Sequence, residues 1–444
     1  MNKKIGFVSL GCAKNLTDTE TMIGILADDG FEITADASDS EVIVVNTCAF
    51  IDSAKEESIN AILEMAQLKG NKCELLVVTG CLAQRYKDEI ANELPEVDII
   101  LGTNDYPSVA SAIKNYYNNG IKTSQVSSEN TPVSYDLPRV TTTPFYTAYL
   151  KIADGCNNFC TYCIIPKLRG KFRSRPVDSI LAEARELAAK GAKELILVAQ
   201  DTACYGKDTG HTLAELLSEL SNIDGIEWLR LQYCYPENIT DDLISEIANN
   251  PKVVKYLDMP LQHVSDNVLK LMGRRSRKAE IENLIDTLRA KINGLCIRTS
   301  LITGFPGETD EDFNILKEFL KKYRIDKVGV FTYSREEGTA AYNFDNQIDE
   351  ELKEERRDEL MKLQQQISLD INNGKIGNTT QAIIEGYDES ELCYVGRCSF
   401  DTPDVDGMAY IYSEDEHDAG DIVEIEIIDF SEYDIVGKTI REDD

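Results

Sequence analysis

Three cysteines stand close together in the segment "ADGCNNFCTYCIIPKLRG", where Cys156, Cys160 and Cys163 are separated by three and then two residues. A structural zinc ion takes four ligands, typically from two paired cysteine motifs, and no second pair or nearby histidine follows at a suitable spacing. An iron–sulfur cluster fits better, because three thiolates hold it and leave one iron free for another ligand. The spacing therefore predicts a cluster site with an open position.

Three more cysteines share a different feature, since each directly follows an apolar, β-branched run. Cys12 follows "KIGFVSLG", Cys48 follows "EVIVVNT" and Cys81 follows "ELLVVTG". The carboxyl ends of parallel strands form the ligand crevice of an open α/β sheet, so residues distant in sequence converge there. The pattern predicts a second three-thiolate site with one vacancy. The other six cysteines match no ligand motif and are expected to be buried free thiols.

The elements that must position these cysteines form three regions. Residues 1–120 alternate between strand-like and helix-like segments, which predicts an α/β domain of three layers around a parallel sheet. The polar stretch 121–141 is expected to be a linker. Six further strand–helix units in residues 142–374 predict a partial (β/α)6 barrel with a charged exit helix, and Cys156 would lie on the first loop of its active face. Residues 375–444 alternate with period two, which predicts a small OB-like β-barrel.

Composition restricts the class of protein. The chain has 444 residues and no apolar run long enough to cross a membrane, so we expect a cytoplasmic protein without a membrane partner. Its twelve cysteines then indicate metal binding rather than disulfides. Half of the net charge of −32 lies in residues 375–444, which hold 4 basic and 20 acidic side chains. This C-terminal region is predicted to attract a basic partner.

The Cys-x3-Cys-x2-Cys motif after a first barrel strand resembles the radical S-adenosylmethionine superfamily. The resemblance implies a [4Fe-4S] cluster on Cys156, Cys160 and Cys163, with S-adenosylmethionine on its open iron, which is cleaved to a 5′-deoxyadenosyl radical. It further implies that Tyr162 lies by the adenine, that Gln200 lies near the methionyl end and that Ile302 packs beside the adenosyl group. No side chain is expected to act as a general base in the hydrogen abstraction.

The order of the three regions resembles the methylthiotransferase family from end to end. The resemblance implies a second [4Fe-4S] cluster on Cys12, Cys48 and Cys81, whose open iron carries the sulfur that is methylated and transferred. One S-adenosylmethionine would supply the methyl group and another the radical, while an external electron donor and a sulfur donor serve the clusters. The C-terminal barrel resembles the family's TRAM domain, which presents the substrate.

Two branches of that family differ in substrate. "GCAKN", "NTCAFIDSAKEES" and "CIIPKLRG" resemble the branch that modifies the β-carbon of an aspartate in protein twelve of the small ribosomal subunit, apart from Ala13 and Ala49. The other branch modifies adenosine in transfer RNA. RNA binding requires many Lys and Arg side chains, so the acidic C-terminal region favours a basic ribosomal protein over RNA.

One basic stretch opposes this interpretation. Every second residue from Lys167 to Arg175 is basic, and such a run could contact phosphates, the carboxylate of a substrate or cofactor, or acidic neighbours within the protein. Two alternatives of function also remain open. The chain could be a transfer-RNA adenosine methylthiotransferase, or a protein of another class, namely a two-cluster electron carrier or redox sensor that does not cleave S-adenosylmethionine.

Overall fold

The computed structural model describes residues 3–132 and 134–440. Its first sheet is parallel and has the strand order β2-β1-β3-β4-β5-β6, so the order reverses beside β1. The strands are β1 (Lys4–Ser9), β2 (Glu32–Thr34), β3 (Val42–Thr47), β4 (Leu75–Gly80), β5 (Ile99–Leu101) and β6 (Thr123–Gln125). The helices are α1 (Ala13–Asp28), α2 (Asp52–Ala66), α3 (Cys81–Arg85), α4 (Lys87–Glu93) and α5 (Val109–Asn119).

Both faces of this sheet are covered, because alternate residues of its central strands point to opposite sides. Val42 and Val44 pack with α1 and α5 on one face, while Ile43 and Val45 pack with α2, α3 and α4 on the other. The three-layer α/β arrangement expected from the sequence is therefore present. The segment 121–141 differs from a plain linker, since Thr123–Gln125 pairs with β5 as an edge strand and extends the sheet.

The second sheet is also parallel, and its six strands follow the order β14-β13-β12-β11-β10-β7 as an open, partial barrel. These strands are β7 (Thr147–Lys151), β10 (Glu194–Val198), β11 (Trp228–Leu231), β12 (Val253–Asp258), β13 (Cys296–Thr303) and β14 (Lys327–Thr332). Two short strands, β8 (Ala153–Asp154) and β9 (Arg173–Ser174), pair antiparallel on either side of the second cysteine loop.

Helices surround the outside of this partial barrel, and its outward-facing apolar residues pack against them in one continuous core. The helices are α6 (Ile165–Arg169), α7 (Val177–Ala189), α8 (Leu213–Ser221), α9 (Asp241–Asn249), α10 (Asp266–Leu271), α11 (Lys278–Lys291), α12 (Asp310–Tyr323) and α13 (Glu350–Asn373). The last of them is the exit helix, which also packs on the edge strand β14.

The C-terminal region is a closed, five-stranded β-barrel in the order β15-β16-β17-β19-β18. Its strands are β15 (Thr379–Asp388), β16 (Cys393–Cys398), β17 (Ala409–Tyr412), β18 (Ile422–Phe430) and β19 (Ile435–Thr439). This small barrel lies against the amino ends of the parallel strands, where Arg397 contacts Glu194 at the start of β10. Among the described residues, none of the helices combines the length and apolar character needed to span a membrane.

Candidate functional site

The first cysteine set lies at the carboxyl edge of the first sheet. Cys12 immediately precedes α1, Cys48 follows β3, and Cys81 begins α3 directly after β4. Gly11 makes the close approach possible, since its φ is +89° and a Cβ there would lie 3.0 Å from Cys48 Sγ. The three thiols are neighbours at the point where the strand order reverses, as the sequence predicted for a ligand crevice.

Burial and nearby cations act in opposite directions on these thiols. Burial raises the pKa of Cys48 and raises the pKa of Cys81 to about 12. Burial also acts to raise the pKa of Cys12, but the nearby Lys14 and Arg169 outweigh it and lower that pKa. Because a bound cation deprotonates a coordinating thiol, these buried thiols are suited to metal coordination rather than to exposed thiol chemistry.

The second cysteine set lies on the loop between β8 and α6, above the partial barrel. The N–H of Cys163 donates to the carbonyl oxygen of Cys160 at 3.0 Å, which folds the loop into a tight turn. Burial raises the pKa of Cys156 to about 11 and also raises the pKa of Cys163. The three thiols interact with one another, so the loop gathers them at one place.

Neither set has the geometry of a site for one ion. Within residues 3–132 and 134–440, no group of three or more His, Cys, Asp or Glu side chains surrounds a single metal position. A zinc ion would require every sulfur to lie about 2.3 Å from the same centre. A four-iron cluster attaches each thiolate to a different iron, so its thiolates stand farther apart. The three thiols of each set match the donor chemistry of such a cluster.

The side chains expected around S-adenosylmethionine fall in two places near the second set. Tyr162 and Ile302 belong to one apolar cluster, in which the rings of Tyr162 and Phe305 meet edge to face at 6.3 Å. Gln200 lies beyond β10, where its Nε2 donates to Asp154 at 3.1 Å and its buried Oε1 lacks a hydrogen-bond partner. The amide nitrogen thus holds Gln200 beside Asp154, at the start of the cysteine loop, while the amide oxygen stays unpaired.

Arg169 connects the two cysteine sets, a role that its sequence position did not reveal. Its guanidinium donates to Asn15 at 2.6 Å and to Asp18 at 2.9 Å in α1, and to Asp154 at 3.2 Å before the second set. Cys81 Sγ in turn lies 3.8 Å from the side-chain oxygen of Asn15. A buried arginine at the end of α6, the helix that follows the second cysteine loop, therefore touches the surroundings of the first set.

The basic stretch from Lys167 to Arg175 is largely occupied by internal partners. Arg169 pairs with Asp18 and Asp154, and Arg175 pairs with Glu183 in α7. Arg173 donates to backbone carbonyl oxygens, including that of Glu129. The sequence left open whether this stretch contacts phosphates, a carboxylate of a substrate or cofactor, or acidic neighbours within the protein. The contacts in the structure are with acidic and polar neighbours within the protein.

The loop after β11 joins the surroundings of both sets. The hydroxyl of Tyr235 lies 3.8 Å from Cys160 Sγ, and two residues earlier the ring of Tyr233 lies 3.4 Å beneath the ammonium of Lys14. Because only one residue separates Tyr233 from Tyr235, this loop contacts residues beside both cysteine sets. The motif "GCAKN" contained Lys14, but nothing in the sequence indicated its aromatic partner.

Three family descriptions match successive parts of the chain. Residues 4–102 match "Uncharacterized protein family UPF0004", residues 150–320 match the radical SAM superfamily, and residues 376–440 match the TRAM domain. The first range covers β1 to β5 of the first sheet, the second covers the partial barrel from the end of β7 to β13, and the third contains the C-terminal barrel. The three regions of the fold thus coincide with three known families.

Solved structures share the fold at low sequence identity. The radical S-adenosylmethionine methyltransferase TsrM from Kitasatospora setae covers 75% of this chain and 72% of its own, with a TM-score of 0.56 and 14% identity. The cobalamin-dependent S-adenosylmethionine radical enzyme OxsB covers 78% of this chain and 55% of its own, with a TM-score of 0.51 and 12% identity. At such identities the likeness shows the fold alone.

Similar proteins of known name match over nearly the full length. The ribosomal protein uS12 methylthiotransferase RimO of Acetivibrio thermocellus is 49% identical over 100% of this chain and 99% of its own. The proteins of the same name from Geotalea uraniireducens and from Clostridium botulinum strain Eklund 17B are 50% and 51% identical, over 99% and 98% of this chain. The chain therefore belongs to the ribosomal protein uS12 methylthiotransferase family, within the radical S-adenosylmethionine superfamily.

Proposed function

We propose that this protein is an S-adenosylmethionine-dependent methylthiotransferase that inserts a methylthio group at the β-carbon of an aspartate in ribosomal protein uS12. The observation that carries the proposal is the presence of two three-cysteine sets whose surroundings are joined by Arg169 and by the loop after β11, in a chain that matches its named relatives end to end. A radical enzyme of this kind must bring a sulfur source close to the place where the substrate radical forms.

The two cysteine sets are the proposed ligands of two [4Fe-4S] clusters. Cys156, Cys160 and Cys163 would hold the cluster that binds S-adenosylmethionine, and Cys12, Cys48 and Cys81 would hold the other. When bound, the two clusters would supply the radical chemistry and the sulfur for transfer, with electrons and sulfide from external donors. Three thiols in each set, all buried or half-buried, support this assignment, because three thiolates can hold such a cluster.

The protein's own side chains would bind and orient S-adenosylmethionine and shield it from water. Tyr162 and Ile302 offer an apolar wall suited to an adenosyl group, and the free amide oxygen of Gln200 offers an acceptor for an ammonium group. The hydroxyl of Tyr235 lies 3.8 Å from Cys160 Sγ, close enough to contact this proposed cluster ligand. None of these residues needs to transfer a proton during hydrogen abstraction.

The acidic C-terminal barrel is the proposed docking surface for the basic substrate protein. Of the basic residues that the structure describes there, Arg397 is buried against Glu194, and Lys375 is half-buried over Phe400. Lys438 is exposed. Asp401 of the same barrel is buried as well, so burial removes charges of both signs and leaves the acidic excess of the sequence on the free surface, which would steer a basic protein towards it and repel RNA.

Mass spectrometry of the products tests the proposal. The anaerobically reconstituted protein is given S-adenosylmethionine, sulfide and a low-potential reductant, and meets uS12 and unmodified transfer RNA in separate reactions. A methylthio increment on one aspartate of uS12 is the expected result. An increment on adenosine alone would replace the substrate by transfer RNA, and a failure to cleave S-adenosylmethionine would favour an electron carrier.

A further inference from the structure

Lys14 is a buried lysine whose ammonium has no acidic partner. The residue is 7% exposed, yet within the described chain no hydrogen-bond acceptor and no carboxylate lies within bonding distance of its Nζ. Its one close contact is the ring of Tyr233, which faces the ammonium but accepts no ordinary hydrogen bond. An ammonium has three donors, so all three remain available.

The neighbouring acid is already committed to other donors. Asp258 accepts from the backbone N–H of Tyr233 at 3.0 Å and from Arg298 at 2.9 Å. The other charged groups that face Lys14 are Cys12 and Arg169. Other buried cations of the site, such as Lys151 with Asp18, have a carboxylate of their own. Among the described residues Lys14 has none, and its Nζ is not among the fully enclosed atoms that lack a hydrogen-bond partner, so a ligand can reach this ammonium and the exception at Lys14 needs a reason.

The position of Lys14 supplies that reason. It stands two residues after Cys12 in the first set, and its aromatic partner stands two residues before Tyr235, which contacts Cys160 of the second set. Lys14 therefore lies close to residues of both sets, and a substrate side chain must enter the region near both sets for both to act on it. A carboxylate entering that region would find a positive charge with free donors.

We infer that Lys14 binds the carboxylate of the substrate side chain and selects an acid over its amide at this site. The inference rests on the proposed function, because it takes the substrate group to be a carboxylate on the carbon chain that is modified. A charge-assisted hydrogen bond would hold the carboxylate and so orient the adjacent carbon. Lys14 is thus assigned as a specificity residue.

Binding to two forms of uS12 tests this assignment. The wild-type reaction first identifies the modified aspartate by mass spectrometry, and a second uS12 then carries asparagine there. Dissociation constants for both forms are measured without reductant, so that no turnover occurs, for the reconstituted wild type, Lys14→Met, Lys14→Arg and the control Lys114→Met. Lys114 is paired with Asp29 on the surface of the first domain. Iron and sulfide content confirm that each variant carries its clusters.

We expect the ratio of the dissociation constants for the asparagine and aspartate forms of uS12 to depend on Lys14. The wild type and the control should bind the aspartate form at least about tenfold more tightly than the asparagine form. Lys14→Met should reduce this preference to within about twofold and raise KM more than it lowers kcat, and Lys14→Arg should restore part of the preference. The control Lys114→Met should leave the cleavage of S-adenosylmethionine without substrate unchanged.

An unchanged preference for the aspartate form in Lys14→Met would overturn the inference while leaving the proposed function intact. If the reduction potential of the first cluster also shifts in that variant, Lys14 is assigned to the cluster instead of the substrate. If the wild type places no methylthio group on uS12 at all, the proposed function fails and the inference fails with it.

Discussion

At the scale of single residues, Arg169 carries the connection between the two halves of the site. It is 1% exposed, and its two carboxylate partners, Asp18 and Asp154, are also buried. Removing one member of a buried ion pair leaves uncompensated charges, so Arg169→Met should reduce the free energy of unfolding by about 3–5 kcal/mol. Urea unfolding of the cluster-free protein, followed by the fluorescence of Trp228, measures the loss.

Arg357→Met is the matched control, because Arg357 lies on α13 and pairs with its exposed neighbour Asp358. Its effect should stay within about 0.5 kcal/mol. A loss below about 1 kcal/mol for Arg169→Met would contradict the role of Arg169 as a structural bridge.

The hydroxyl of Tyr235 should influence the barrel cluster through its contact with Cys160 Sγ at 3.8 Å. Hydrogen bonds to cluster sulfurs favour the reduced form, whose negative charge is greater. Tyr235→Phe should therefore lower the midpoint potential by about 40 mV, the one-electron equivalent of a hydrogen bond of about 1 kcal/mol. A redox titration followed by electron paramagnetic resonance gives the value.

For this measurement the first cluster is removed by replacing Cys12, Cys48 and Cys81 with alanine. Tyr387→Phe, on the exposed surface of the C-terminal barrel, is the control and should leave the potential unchanged. An equal potential in Tyr235→Phe and the control would show that the hydroxyl makes no hydrogen bond to the cluster.

At the scale of elements, the turn between β1 and α1 places Cys12 beside Cys48. A Cβ at Gly11 would lie 2.8 Å from the Cβ of Cys48, in addition to the strain of a φ of +89°. Gly11→Ala should therefore displace Cys12 and prevent the first cluster from assembling. Iron analysis after reconstitution should fall from about eight to about four atoms per chain.

Gly30→Ala separates the clash from the strain. Gly30 also has a positive φ, +80°, but nothing lies within 4 Å of a Cβ built there, so this variant has the backbone strain alone. It should keep the full iron content. Equal iron content in both variants would show that the turn has room to adjust.

The sequence predicted the positions of both cysteine sets because each cysteine follows a long apolar run or a compact motif. It did not predict β2 and β6, since strands of three residues are too short to show a period. It also did not reveal the partners of Arg169, because Asp18 lies 151 residues away in the chain. Contacts between domains depend on how finished elements pack, which local patterns do not encode.

Arg397 illustrates the same limit at the boundary between barrels. In the sequence it counts as one of four basic residues of an acidic region, whereas the structure buries it with Glu194 and Arg230 at the base of the parallel barrel. Glu194 accepts hydrogen bonds from both guanidinium groups. Burial acts to raise the pKa of Glu194, but the two nearby positive charges outweigh burial and lower that pKa. The charge of Arg397 thus fixes the C-terminal barrel in place and is absent from its outer surface.

At the scale of the whole molecule, the acidic barrel should act mainly on the rate of encounter with uS12. Surface charge of one sign raises association rates for a partner of opposite sign, and salt screens the effect beyond about 10 Å. Replacing four exposed glutamates of the barrel by glutamine should therefore slow association about tenfold at low ionic strength and weaken its salt dependence. The four positions are Glu389, Glu391, Glu424 and Glu426.

A second variant carries the same change in net charge at the other end of the molecule. Its four glutamine substitutions replace exposed residues of the first domain, Glu56, Glu57, Glu64 and Glu93. Stopped-flow association with uS12 compares the two variants with the wild type over a range of salt concentrations. Because net charge is equal in both variants, a slower rate in the barrel variant alone would locate the docking surface on that barrel. Equal slowing in both would mean that uS12 responds to the total charge of the protein, and the barrel would lose its proposed role.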